Sequence, residues 1–177
     1  MTTERPAGVA YVALGSNLGD REGTLSAALR ELRSAALPAT ELLRCSPVFE
    51  TRPIGPSTAP FLNAVAELRT RLSPLDLLTG LLALEDRHGR TRQVRWGART
   101  LDLDLLVYLV DGRSQREDSP RLTLPHRELA RRDFVLAPLA ALAPDLRPWG
   151  EATVAELLAA LAPEDRTILA PPRPLSC

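Results

Sequence analysis

Lysine is missing from this 177-residue chain, and all 22 of its basic residues are arginine. This absence excludes a phosphate-binding loop of the GxxxxGK[ST] type, because that loop needs its lysine. Any phosphate that the protein binds must therefore be held by arginine guanidinium groups or by backbone amides.

Cysteine and long apolar runs are also scarce. The two cysteines, Cys45 and Cys177, form no disulfide framework and indicate a reducing compartment. No apolar run follows the first charged residues, and no stretch approaches the length of a membrane span. We therefore expect a cytoplasmic protein without a membrane partner.

Excess charge of either sign is absent as well, since 22 acidic residues balance the 22 basic ones. This balance argues against a nucleic-acid-binding or membrane-surface protein. The length and the 45% hydrophobic content predict one globular domain over residues 1–177. We expect flexible tails at residues 1–7 and from about residue 168 to the end.

The spacing of apolar residues predicts an alternation of strands and helices. The predicted strands are Val9–Asn17, which breaks at Gly15, one strand within Leu42–Pro53, Phe61–Leu72 and Thr100–Val110. The predicted helices pass through Leu25–Leu32 with a cap near Asp20, run from Ser73 to Gly89, and begin near Thr153.

Two aspartates stand at alternate positions of the strand Thr100–Val110. Because successive strand side chains point to opposite faces, Asp102 and Asp104 share one face, and the leucines beside them share the other. Two interpretations carry equal weight: an edge strand with solvated aspartates, or a pair of hard oxygen ligands for Mg²⁺.

An arginine-rich stretch precedes this strand and favours the second interpretation. It contains Arg87, Arg90, Arg92, Arg95 and Arg99. Guanidinium groups and divalent cations that face the same volume are what phosphoryl transfer requires. Trp96, within this stretch, is either a core residue or a cover for a planar ligand.

Seven motifs in one order extend over most of the chain. They are ALGSNLGD (Ala13–Asp20), TRPIGP (Thr51–Pro56), FLNAV (Phe61–Val65), LEDRHGRTR (Leu84–Arg92), RWGARTLDLDLL (Arg95–Leu106), LTLPH (Leu122–His126) and RRDFVLAPL (Arg131–Leu139). With these motifs the chain resembles the 6-hydroxymethyl-7,8-dihydropterin pyrophosphokinases of folate biosynthesis. The resemblance implies an α+β fold, with a ferredoxin-like βαββαβ core whose antiparallel sheet has helices on both sides.

The same resemblance implies the reaction and the residues that carry it. Pyrophosphate would pass from ATP to the pterin hydroxymethyl group, leaving AMP, with two Mg²⁺ ions held by Asp102 and Asp104. Arg90 and Arg99 would complete the catalytic set by clamping phosphates. The implied ATP contacts are Glu85, Arg90, Arg92, Trp96, Arg99, Arg121, His126 and Arg132. The implied pterin contacts are Thr51, Ile54, Phe61, Asn63, Trp96 and Phe134.

Four positions depart from the family pattern. Leu82 stands where the family commonly has glutamine, and Ala98 replaces a frequent proline. Gln93 stands where some members of the family carry a basic residue. Arg127 stands where an aromatic residue or proline is often found. Only Leu82 lies where it could alter binding directly.

Two rival hypotheses remain. One is another Mg²⁺-dependent nucleotide transferase, which would use ATP but lack the pterin pocket. The other is an RNA-binding module that uses the arginine-rich stretch and Trp96; the neutral overall charge and the repulsive carboxylate pair argue against it. We expect the protein to be a monomer.

Overall fold

A computed structural model describes residues 6–34, 36–54, 58–89 and 100–175 of the chain. The strands are β1 (Gly8–Ser16), β2 (Thr40–Cys45), β3 (Phe49–Thr51), β4 (Phe61–Thr70), β5 (Asp102–Val110), β6 (Arg113–Ser114), β7 (Glu117–Asp118) and β8 (Thr123–Leu124). The helices are α1 (Arg21–Arg33), α2 (Pro74–Arg87), α3 (Asp133–Leu142) and α4 (Val154–Ala159). Short 3₁₀ turns cover Leu129–Arg131 and Pro163–Asp165.

The main sheet is antiparallel and has the strand order β2-β4-β1-β5-β6, with β3 also paired to β4. When β2 and β3 are counted as one interrupted strand, the order of elements is βαββαβ. The central strands β1 and β4 have neighbours on both sides. The predicted ferredoxin-like α+β fold is therefore confirmed.

Helices cover both faces of this sheet. One apolar layer joins α1 and α2 to the strands through buried residues such as Leu14, Leu29 and Leu81. The opposite layer joins α3 and α4 to the sheet through residues such as Val65 and Leu136. Each fully buried leucine contributes about 1.5–3 kcal/mol of hydrophobic stabilisation, so both layers contribute to holding the strands in register.

Helices α1, α2 and α4 begin at residues whose side chains accept hydrogen bonds from the first turn, as the sequence predicts. The Asp20 carboxylate accepts from the Gly23 amide at 2.9 Å, and the Ser73 hydroxyl accepts from the Asp76 amide at 3.1 Å. Thr153 and Glu156 form a reciprocal capping box on α4. Over the described ranges, no helix has the length and apolar character needed to cross a membrane.

Two predicted strand boundaries are wrong. The single strand predicted within Leu42–Pro53 is split, because the Ser46 hydroxyl accepts from the Val65 amide at 2.9 Å and Pro47 has no amide hydrogen. Strand β1 also continues through Gly15 to Ser16. The turn that follows uses Gly19, whose φ of +60° lies in the left-handed region that favours glycine.

Cys45, at the end of β2, is disulfide-bonded. The chain's other cysteine, Cys177, lies outside the described residues. The sequence-based expectation was that the cysteines form no disulfide framework, and Cys45 does not meet it. The cysteines therefore do not support a reducing compartment.

The C-terminal segment differs from the flexible tail predicted from about residue 168. Ile168 bridges to Thr51 and Arg173 bridges to Val48, both in antiparallel fashion. Leu175 is buried against the α1/α2 layer. Backbone pairing thus ties this segment to β3 as far as Leu175.

The ends of α1 and α2 are joined by an ionic contact that gives a stability prediction. The Glu31 carboxylate lies 2.7 Å from His88 Nε2 and 3.2 Å from an Arg87 guanidinium nitrogen. Burial raises the pKa of the Glu31 carboxyl, but hydrogen bonds from His88 and Arg87 outweigh that effect and lower the pKa.

We expect Glu31→Gln to lower the free energy of unfolding at pH 7 by less than about 1 kcal/mol, because the contact is partly solvent-exposed. Since the folded-state pKa is depressed, the stabilisation is complete above the unfolded-state pKa and is lost as pH falls through the folded one. Urea unfolding of both proteins at pH 7 and at pH 3 measures this. An undiminished difference at pH 3 would contradict the ionic contribution.

Candidate active site

Three residues on adjacent strands form a row across one end of the sheet. Asp102 of β5 is opposite Gly15 of β1, and Gly15 is opposite Asn63 of β4. Directly opposed residues of antiparallel strands point to the same face. The carboxylate and the amide side chain therefore lie on either side of a glycine, on the face that carries α3 and α4.

Asn63, Asp102 and Phe61 surround the position that a side chain at Gly15 would occupy. A Cβ atom at this position would lie 3.3 Å from Asn63 Oδ1 and 3.9 Å from Asp102 Cβ. The same Cβ would lie 4.0 Å from Cδ1 of Phe61. Because glycine has no side chain, a flat ligand can approach the strand backbone between the carboxylate and the amide.

The second aspartate, Asp104, lies opposite Ala13 on the same face as Asp102. Beyond it the β1–β5 register shifts by one residue, so Leu106 has no opposite partner in β1. The Leu106 carbonyl accepts a hydrogen bond from the His126 amide at 2.8 Å. This bulge therefore anchors the loop containing His126 beside the aspartate strand.

A cavity of about 200 Å³ lies between Asp104 and this loop, and Arg121, His126 and Arg127 also line it. The Glu128 amide donates to His126 Nδ1 at 3.3 Å. Because Nδ1 accepts, the proton of a neutral imidazole lies on Nε2, which makes Nε2 a donor suited to a phosphate oxygen.

Glu85 is fully buried on α2, beneath the aspartate strand. Its Oε1 atom accepts a hydrogen bond from the Leu103 amide at 2.6 Å, between the two aspartates. β5 pairs with β6 only at Leu109 and Val110, so this amide lies beyond the last described pair of that ladder. The contact with Glu85 thus holds the edge of β5 where Asp102 and Asp104 project.

On the other side of the row, Asn63 is held by Thr51 of β3. The Asn63 side-chain amide donates to the Thr51 hydroxyl at 2.7 Å, and both side chains are buried. With its Nδ2 atom turned toward Thr51, Asn63 presents Oδ1 toward the space above Gly15. Phe61, half-buried at the start of β4, borders the same space.

Phe134 lies in the first turn of α3 and is half-buried. The Arg132 guanidinium carbon is 5.6 Å from the centroid of its ring, which is within cation–π range. A residue predicted to bind ATP thus contacts one predicted to bind pterin. Ile54 is 54% exposed, at the end of a described range.

Apart from Arg87, the arginine-rich stretch lies outside the described residues. It holds the predicted site residues Arg90, Arg92, Trp96 and Arg99, and the departures Gln93 and Ala98. Their roles stay predictions. Leu82 lies half-buried on α2.

The carboxylate pair suits Mg²⁺ better than it suits a metal ion whose ligands all come from protein side chains. Asp102 and Asp104 are both half-buried on one face of β5. Within residues 6–34, 36–54, 58–89 and 100–175, no group of three or more His, Cys, Asp or Glu side chains could hold a metal. Mg²⁺ typically takes one or two protein carboxylates, and water and substrate phosphates complete its shell.

The place of Gly15 in this row is a feature that the sequence interpretation missed. The first strand was predicted to break at Gly15, whereas Gly15 lies within the strand. Alternation along β1 places Gly15 on the face opposite Leu14. Its neighbours on β4 and β5 depend on register, which the sequence of β1 does not contain.

Comparison with known proteins identifies the family. A family model described as 7,8-dihydro-6-hydroxymethylpterin-pyrophosphokinase (HPPK) matches residues 11–144. The chain belongs to the HPPK family. Among curated relatives of that type, the enzyme named 2-amino-4-hydroxy-6-hydroxymethyldihydropteridine pyrophosphokinase from Pseudomonas aeruginosa is 49% identical, over 85% of this chain and 90% of the relative.

A second curated relative matches a similar share of both chains, and a solved structure matches in fold. The enzyme of the same name from Bacillus subtilis is 42% identical, over 84% of each chain. Among solved structures, wild-type Plasmodium falciparum HPPK-DHPS with SDX-DHP gives a TM-score of 0.65 at 13% identity, covering 89% of this chain. This chain spans 45% of that longer protein, and the likeness shows the HPPK fold alone.

We expect Gly15→Ala to weaken pterin binding, because the added methyl group would displace the Asn63 side chain from its present position. Loss of one neutral hydrogen bond corresponds to roughly a tenfold rise in Kd. Titration with pterin, in the presence of Mg²⁺ and a non-hydrolysable ATP analogue, measures the change. Unaltered pterin affinity in a folded variant would show that pterin binding does not use the space above Gly15.

Proposed function

We propose that this chain performs the family reaction at the row formed by Asp102, Gly15 and Asn63. The β,γ-pyrophosphoryl group of ATP is transferred to the hydroxymethyl oxygen of 6-hydroxymethyl-7,8-dihydropterin, a step of folate biosynthesis. The observation that carries the proposal is the register of β5, β1 and β4, which brings Asp102 and Asn63 to one face of the sheet on either side of Gly15.

Asp102 and Asp104 would hold two Mg²⁺ ions. Their oxygens are hard ligands, and their common strand face lets both carboxylates reach one volume. When bound, these ions would neutralise phosphate charge and orient the reacting groups. The Glu85 hydrogen bond to Leu103 holds the backbone between the two carboxylates.

The triphosphate would occupy the cavity beside Asp104. His126, with Nε2 as its donor, and Arg121 border this space and would bind phosphate oxygens. The other proposed ATP contacts are Glu85, Arg90, Arg92, Trp96, Arg99 and Arg132. We assign the phosphate clamp to Arg90 and Arg99, as the family resemblance implies.

The pterin would lie above Gly15. Asn63, oriented by Thr51, would bind the donor and acceptor edge of the ring. Phe61 and Phe134 would stack on its faces, with Ile54 and Trp96 at the rim. A site whose buried polar groups are paired only with the correct ring discriminates strongly against poor fits.

The chemical step then depends on placement. The pterin hydroxyl oxygen forms a bond to the β-phosphorus, and the bond from that phosphorus to the α–β bridging oxygen breaks. AMP leaves with the bridging oxygen, and the hydroxyl proton passes to solvent. Most of the acceleration comes from positioning and from stabilising phosphate charge.

We also propose that the protein acts as a monomer, because all the residues assigned to the site come from one chain, and that it works in the cytoplasm, where its proposed substrate ATP is found. Sedimentation at micromolar concentration measures the oligomeric state. A dimer whose dissociation abolishes activity would contradict this proposal.

We expect AMP to form from ATP only when both Mg²⁺ and 6-hydroxymethyl-7,8-dihydropterin are present. Asp102→Ala and Asp104→Ala should each lower the rate by roughly 10³-fold, a typical loss when phosphate charge is left unneutralised. Chromatographic quantitation of AMP and of the pterin diphosphate measures both products.

Glu117→Ala serves as a control, because it also removes a carboxylate but lies on β7, outside the proposed site. Chelation of Mg²⁺ by EDTA should stop the reaction, and added Mg²⁺ should restore it. AMP formation that does not need pterin would contradict the proposed acceptor. Full activity in both aspartate variants would contradict the metal assignment.

A further inference from the structure

Asp133 is a buried carboxylate that has no part in the site described so far. It is the first residue of α3, directly before Phe134, and only 2% of it is exposed. Its oxygens accept from the Thr167 amide, from the Thr167 hydroxyl, and from the Ile168 amide at 3.1 Å. One carboxylate thus satisfies three donors from a segment 34 and 35 residues away.

That segment, residues 166–175, is here called the C-terminal strap. It runs antiparallel to β3 and the residues around it. The Arg52 amide donates to the Thr167 carbonyl at 2.9 Å, and the Leu169 amide donates to the Glu50 carbonyl at 2.9 Å. The strap therefore holds the residues on either side of Thr51, whose own side chain orients Asn63.

The side chain of Arg52 makes further hydrogen bonds in the same region. The Arg52 guanidinium donates to the Glu164 carbonyl at 2.9 Å and to the Arg166 carbonyl at 3.1 Å. The residue after Thr51 thus contacts the strap through both its backbone and its side chain. The chain of contacts runs from α3 through the strap to β3 and then to Asn63.

We infer that Asp133 is a positioning residue for the pterin pocket. Through the strap it sets the spacing between Phe134 on one wall and the Thr51–Asn63 pair on the other. This inference rests on the proposed function, because it assumes that pterin lies between those walls. It gives the C-terminal strap a role in pterin affinity, although the strap adds no side chain to the proposed ligand contacts.

The chemistry of the contact explains why a carboxylate is needed. Three donors converge on Asp133, and an ionised carboxylate offers only acceptor sites. Asparagine at this position would turn an NH₂ group toward at least one of these donors. A buried donor without a partner is costly, so the strap would move to recover its hydrogen bonds.

The test uses Thr167→Val, which removes one donor with little change in size, and Thr167→Ser, which keeps the hydroxyl. Asp133→Asn is the stronger variant. Pterin affinity is measured by titration in the presence of Mg²⁺ and a non-hydrolysable ATP analogue, whose own Kd is measured separately. Urea unfolding reports the stability of each variant.

Thr40→Val is the matched control. Thr40 and Thr70 share a buried hydroxyl–hydroxyl hydrogen bond of 2.7 Å. Thr70 lies opposite Gly8, at the end of β4 away from Asn63. This variant therefore loses a buried hydroxyl contact far from the proposed pocket.

We expect Thr167→Val and Asp133→Asn to raise the pterin Kd by about tenfold or more, with the Kd of the ATP analogue changed by less than about twofold. Thr167→Ser and Thr40→Val should bind pterin as the natural protein does. Equal pterin affinity in Thr167→Val, Asp133→Asn and the control would overturn the inference and leave the proposed function standing. Failure of the natural protein to bind pterin would overturn both.

Discussion

The register of three antiparallel strands is the constraint on which the rest of the structure depends. With Gly15 opposite both Asn63 and Asp102, residues from three distant parts of the sequence meet on one face. A shift of one residue in either pairing would turn a polar side chain toward the apolar layer of α1 and α2. Packing of leucines on that layer therefore stabilises the fold and specifies the site together.

In the proposed function, the contacts around this row each serve one of the two substrates. On the nucleotide side, the bulge at Leu106 anchors the loop of His126, and buried Glu85 holds the strand backbone between the aspartates. On the pterin side, Thr51 orients Asn63, and Asp133 connects α3 to the strap. The two sets meet at the central strands and at α3, where Arg132 contacts Phe134, as binding of two ligands whose reacting atoms must come close together requires.

Local patterns predict much of this arrangement, and long-range pairing accounts for the rest. Alternation alone places Asp102 and Asp104 on one face, and cap residues correctly mark the starts of α1, α2 and α4. The break at Ser46 depends on a hydrogen bond to Val65, 19 residues away. Similarly, no local pattern near Asp133 indicates a partner 34 residues along the chain. A proline-rich C-terminus is typical of a flexible tail, although here its backbone pairs with β3.

In the proposed function, the carboxylate pair and the pterin pocket share one end of the sheet. Replacement of Mg²⁺ by paramagnetic Mn²⁺, with a non-hydrolysable ATP analogue and pterin bound, tests it directly by nuclear magnetic relaxation. The account predicts strong relaxation of the pterin hydroxymethyl protons, which is lost when Asp102 and Asp104 are both replaced by alanine. Pterin that binds with unperturbed hydroxymethyl protons in the presence of bound Mn²⁺ would contradict it.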